Sequence, residues 1–112
     1  MTKTMSVDLD GVLNIYNGIY EENKIAPIKE GAKEFLEELS KNYKVEIFTV
    51  RNSNLVIEWL NENNIAQYVS SITNVKNPYT SVFVDDRALT FNGNFYEVLE
   101  KIKVFKPYWK IV

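Results

Sequence analysis

Three short apolar runs constrain this chain more than anything else in it: "TMSVDLD" from Thr4 to Asp10, "KVEIFTV" from Lys44 to Val50, and "SVFVDD" from Ser81 to Asp86. In the first, Met5, Val7 and Leu9 alternate with Thr4, Ser6 and Asp8, the period of two that marks a strand. The second reads as another strand, and a short one is expected near Tyr68 to Ile72. The unbroken Val82, Phe83 and Val84 have the composition of a strand covered on both faces. Helical patterns lie between these runs. Ile28, Ala32, Phe35, Leu36 and Leu39 share one face of a helix opened by Pro27 and ended near Asn42, with Gly31 weakening it. Leu55, Val56, Trp59 and Leu60 share a face of a second, capped by Asn52 or Ser53, and Trp59 with Leu60 belongs to the core. Phe95, Val98, Leu99 and Ile102 mark a third. Strands alternating with helices predict an α/β fold, a three-layer sandwich around a central parallel sheet with right-handed crossovers.

Two segments fall outside this alternation. Asn17-Gly18 sits between Ile15-Tyr16 and Ile19-Tyr20, a strong short-range signal for a type I′ hairpin, so a two-stranded flap is expected after the first strand. Packing on the body is then the expected role of Tyr16 and Tyr20, with lining of a site entrance the alternative. The tail "VFKPYWKIV" has no clear period, and Tyr108 and Trp109 are expected to cover a helix or form a dimer contact.

Composition narrows the chemistry. With 112 residues and 46% hydrophobic content, the chain fits one domain over positions 1–112 with a real core. It has no cysteine and no histidine, which removes thiol nucleophiles, the Ser-His-Asp triad and nearly every zinc or iron site. Carboxylates, hydroxyls, Lys and Arg remain. The N-terminus lacks an apolar signal core, and no uncharged run approaches the roughly 20 residues that span a bilayer, so a cytoplasmic protein without membrane partners is expected. A net charge of −2 with both signs interspersed argues against a nucleic-acid partner.

Ligands of parallel α/β sheets bind beyond the carboxyl ends of the strands. Strand one ends in Asp8 and Asp10, strand two in Thr49 and Arg51, and the run near the C-terminus in Asp85 and Asp86, while Lys76 lies in the loop before it. Each feature alone is common on protein surfaces. Their conjunction, in the order DxDG, Thr, Lys, DD at strand ends, is much harder to obtain by accident. Carboxylates gathered in a small site need a cation between them, and oxygen donors alone point to Mg²⁺.

In these residues the sequence resembles the haloacid dehalogenase superfamily of aspartate-nucleophile phosphohydrolases, over nearly the whole chain. "VDLDGVL" is similar to that family's first motif, "VEIFTV" to the second, Lys76 to the third and "VFVDD" to the fourth. The resemblance implies a Rossmann-like fold, with the flap placed after the first motif. It implies a Mg²⁺-dependent phosphatase in which Asp8 attacks phosphorus and Asp10 serves as acid and base. Thr49 and Lys76 would hold the transferring phosphoryl group, and Asp85 and Asp86 would complete the metal shell with Asp8 and the backbone carbonyl of Asp10. Arg51 is a candidate ligand for a substrate phosphate or carboxylate, with a surface ion pair as the equal alternative; Arg87 is a weaker one. The intervals from Asp10 to Thr49 and from Thr49 to Lys76 leave no room for the cap domain common in the family, so a capless member is implied. An open site fits a phosphorylated glycan, protein or nucleic-acid end, or a sugar phosphate if a homo-oligomer supplies the lid. The alternative is a catalytically weak or inactive module of the same fold, kept for binding or regulation.

Three other acidic designs match less well. A receiver domain places its acidic pair first and its phosphoacceptor on a later strand. A calcium loop of the D-x-D-x-D-G kind is interrupted by Gly11, and a Toprim nuclease places a glutamate first and its DxD later.

Overall fold

The alternation in the first apolar run is used directly: β1 (Thr4–Asp8) lies in the interior of the sheet, with paired strands on both sides. The computed structural model describes residues 2–110, so Ile111 and Val112 of the tail lie outside the described residues. β1, β2 (Lys44–Phe48), β3 (Ser71–Thr73) and β4 (Thr80–Val84) form one parallel sheet in the order β3-β2-β1-β4. Helix α1 (Ala32–Ser40) connects β1 to β2, and α2 (Ser53–Glu62) with a 3-10 turn at Ala66–Tyr68 connects β2 to β3. Helix α3 (Phe95–Val104) follows β4. The described residues are thus α/β with a four-stranded parallel sheet and three α-helices, a Rossmann-like arrangement. No helix among the described residues is long and apolar enough to cross a membrane.

Register decides which residues share a face. Val7 pairs with Ile47 on one side and with Val84 on the other. This face carries the core: Val7, Val45 and Ile47 pack with Leu36 of α1 and with Val56, Trp59 and Leu60 of α2. Full burial of an aliphatic side chain of this kind contributes about 1.5–3 kcal/mol. Asn52 caps α2, its side chain accepting from the backbone N–H groups of Asn54 and Leu55, as the Asn-Ser pair led us to expect.

Four expectations need correction. Helix α1 starts at Ala32 rather than at Pro27, because the Ile15 N–H is bound by the Pro27 carbonyl and the Lys29 N–H by that of Leu13. Gly31, with a φ of 90°, then turns the chain into the helix. The flap is absent as a hairpin among the described residues. One antiparallel bridge, Asn14 to Ile28, closes the base of an otherwise irregular loop, and the Asn17 side chain takes the Ile19 N–H in a local turn. Such a side-chain contact competes with strand pairing, and Ile15 and Ile19 have no face to bury. β4 is not covered on both faces. It is an edge strand with a neighbour on one side, and Val82 and Phe83 are exposed. The helix expected at Phe95 forms, but it buries none of its residues, so the sheet has one densely packed helical face where two were expected. Ion pairs from Glu97 to Lys101 and from Glu100 to Lys103 run along α3 and support the helix locally.

Candidate metal and phosphoryl site

The chain leaves β1 toward β2 on one side, and β4 lies on the other, so strand order reverses between β1 and β4. Ligands of open α/β sheets bind at such a reversal. Because Val7 and Val84 are register partners, the next residues, Asp8 and Asp85, emerge level with each other, and Asp86 follows. Asp8, Asp85 and Asp86 each place one carboxylate oxygen within 4.8 Å of the others.

Three carboxylates this close oppose one another's charge. Burial raises Asp8 most, followed by the close approach of the Asp86 side chain and the charges of Asp85 and Asp86, and together they take it to about 8. In the protein alone, Asp8 therefore holds a proton at neutral pH. Asp86 carries a second sign of an incomplete site: its Oδ1 is buried with no hydrogen-bond partner. An oxygen-only donor set with an orphaned buried oxygen fits a hard divalent cation. Asp8, Asp85 and Asp86 are the residues that would hold it.

The Asp10 carboxylate lies outside this triplet. Arg51 grips it with both prongs, Nε to Oδ2 at 2.8 Å and Nη2 to Oδ1 at 3.0 Å. The side-chain amide of Asn14 donates to Oδ1 at 2.9 Å. One expectation changes as a result. Arg51 is neither a surface ion pair nor a free substrate ligand: it is buried, its Nη1 donates to the carbonyls of Glu21 and Glu22, and its guanidinium lies over the Tyr20 ring at 4.5 Å. It ties the end of strand one to the irregular loop. Burial works against the Arg51 charge, but the Asp10 partner outweighs it and holds the group above its ordinary value.

Thr49 is buried, and its Oγ1 accepts the Arg51 N–H at 3.2 Å. With Asp8, Asp10, Tyr16, Tyr20, Asp85 and Arg87 it lines a cavity of about 340 Å³. A second cavity, of about 630 Å³, is lined by Ser6, Asp8, Phe48, Lys76, Phe83 and Asp85 among others. Asp8 and Asp85 belong to both, so these two carboxylates sit where the cavities meet. Lys76 reaches that edge as expected, but its Nζ lies over the Phe83 ring at 5.0 Å and is not ion-paired among the described residues. Arg87 is exposed, and its N–H donates to Asp85.

Sequence reasoning missed three residues of the site. Asn14 is fully buried and accepts the Gly11 N–H at 3.0 Å while donating to Asp10; a lone amide inside "GVLNIY" was the available signal. The other two come from the tail. Trp109 Nε1 donates to Asp86 Oδ2, and Tyr108 Oη donates to the Gly11 carbonyl at 2.6 Å. Burial and then the Asp86 charge push the Tyr108 phenol up, keeping it a donor. Rather than covering a helix, Tyr108 and Trp109 close the tail onto the acidic site.

Comparison with known proteins finds no matching family model and no matching curated protein. One solved structure, described as the conserved protein coded by a locus from Bacteroides thetaiotaomicron, superposes with a TM-score of 0.60 at 20% identity, over 92% of this chain and 91% of that one. At that identity the likeness extends to the fold alone.

Proposed function

We propose that the protein is a Mg²⁺-dependent phosphomonoester hydrolase of the haloacid dehalogenase type, working through an aspartyl-phosphate on Asp8. The observation that carries this reading is the triplet itself: a carboxylate at the end of β1, brought level with an acidic pair at the end of β4, at the reversal of strand order. A bound Mg²⁺ would supply positive charge to the ionised carboxylates and to the phosphoryl oxygens. Asp8 then forms a bond to phosphorus as the bond to the leaving oxygen breaks, and that oxygen takes a proton. Water attacks the aspartyl-phosphate in the second half-reaction, loses a proton, and frees both phosphate and Asp8. Thr49 and Lys76, on the two cavities that share Asp8, are the groups to steady the phosphoryl oxygens.

The proton-transfer role falls to Asp10, and here the geometry adds a condition. Both of its oxygens are engaged by Arg51 and Asn14, so Asp10 must swing out of that grip to reach a leaving group. The same engagement favours a second reading, a module of this fold that binds a phosphoryl group without rapid turnover.

One experiment separates them. Purified protein is incubated with an aryl phosphate and Mg²⁺, beside Asp8→Asn, and beryllofluoride trapping is measured in parallel. Mg²⁺-dependent phosphate release lost in the variant supports the hydrolase. Trapping without turnover supports the binding module, and neither signal would exclude both.

A further inference from the structure

The chain returns to the site at its C-terminal end by a turn. The Lys110 N–H donates to the Pro107 carbonyl at 3.1 Å, and of the two residues carried at the tip of that turn, Tyr108 binds the Gly11 carbonyl and Trp109 touches the acidic centre. Trp109 donates its indole N–H to Asp86 Oδ2, while Asp86 Oδ1 stays buried without a partner. The indole ring is itself held in place, edge to face against Tyr16 with centroids 5.1 Å apart. Gly11 completes the arrangement. With a φ of 88° it passes so close that a Cβ there would overlap the Asp86 carboxylate and crowd Trp109 Nε1. The glycine after the two aspartates is therefore needed for this crossing as well as for the turn.

The geometry points to Trp109 as a positioning residue for the cation site, so that docking of the C-terminal turn and divalent-cation binding are one coupled equilibrium. This rests on reading Asp8, Asp85 and Asp86 as a cation site. The carboxylate of Asp86 has two oxygens; Trp109 fixes one and thereby orients the other. A ligand oriented by an outer hydrogen bond loses typically 10- to 100-fold in metal affinity when that bond is removed. Coupling is reciprocal, so the cation in turn holds the tail.

The test uses Mg²⁺ and Mn²⁺ as probes on the full chain. Isothermal titration compares wild type, Trp109→Phe and Asp86→Asn; the phenylalanine keeps a ring against Tyr16 but removes the donor. Wild type should bind, Trp109→Phe about tenfold more weakly, and the cation-induced change in tryptophan emission should vanish in that variant. Hydrogen exchange on the wild type alone, which needs no variant to fold, should show the peptide carrying Pro107 to Lys110 protected when Mg²⁺ is added. Equal affinity in Trp109→Phe together with lost binding in Asp86→Asn would overturn the role of the tail while leaving the cation site standing. Unchanged exchange in the tail of a Mg²⁺-binding wild type would do the same. No binding of either ion by the wild type would overturn the cation site, and the coupling with it.

Discussion

Around β1 and β2 the sheet is sealed: Val7, Val45 and Ile47 have no exposure, and Leu36 and Val56 close over them with none of their own. At the other edge β4 leaves Val82 49% and Phe83 41% exposed, and α3, which follows it in the chain, buries none of its residues. Yet it is β4 that delivers Asp85 and Asp86. The first region holds the fold, and the second presents charge. Carboxylates packed as tightly as the core would suffer the full cost of desolvation; on a lightly covered edge that cost is reduced, and position is held by Trp109 and by any bound cation.

This contrast breaks most directly under paired truncations. Leu36→Ala should cost about 2–5 kcal/mol in urea unfolding, through lost burial and a cavity. Leu99→Ala, at a position 59% exposed, should stay within about 0.5 kcal/mol. Equal costs would mean that α3 packs as the core does, and the two-region account would fail.

Arg51→Lys probes the join between the regions. Lysine cannot reproduce a two-pronged grip on Asp10 together with donation to Glu21 and Glu22. Unfolding should become easier by about 1.5–3 kcal/mol, the range for hydrogen bonds to charged groups, with the 14–28 loop opening first in hydrogen exchange. A variant as stable as wild type would show that the loop is held by other means.

A separate effect is set by pH. Asp8 is raised from 3.8 to about 8 in the folded protein, so between those values the native state holds a proton that the unfolded chain has released. Without divalent cations, stability should be greatest below the lower value and decline as pH rises toward the upper one. Mg²⁺ should flatten that decline by favouring the ionised carboxylates. Thermal melting across this interval, with chelator and with Mg²⁺, reads both slopes; a chelated protein that gains stability as pH rises would contradict the assigned burial of Asp8.

The strands and α2 were legible because their signals are local: alternation at Met5, Val7 and Leu9, and Asn52 ahead of an apolar stripe. The start of α1 was not, since backbone bonds between 13–15 and 27–29 claim the residues where Pro27 would have begun a helix. The hairpin signal at Asn17-Gly18 failed because a side-chain turn satisfied Ile19 first. In the site, the acidic residues were visible as strand ends, but the Arg51 grip on Asp10 spans 41 positions and the Tyr108 bond to Gly11 spans 97. No local pattern encodes a partner so far away, and only the fold brings them together.

The central claim is that Asp8 is the nucleophile, and an acyl phosphate can be caught chemically. Protein quenched during turnover of an aryl phosphate with Mg²⁺ is treated with borohydride, which reduces an aspartyl-phosphate to homoserine, and the peptide spanning Ser6 to Leu13 is sequenced by mass. The account predicts homoserine at position 8 and nowhere else. Steady phosphate release with an unmodified Asp8, or homoserine at Asp10, Asp85 or Asp86 instead, would contradict it.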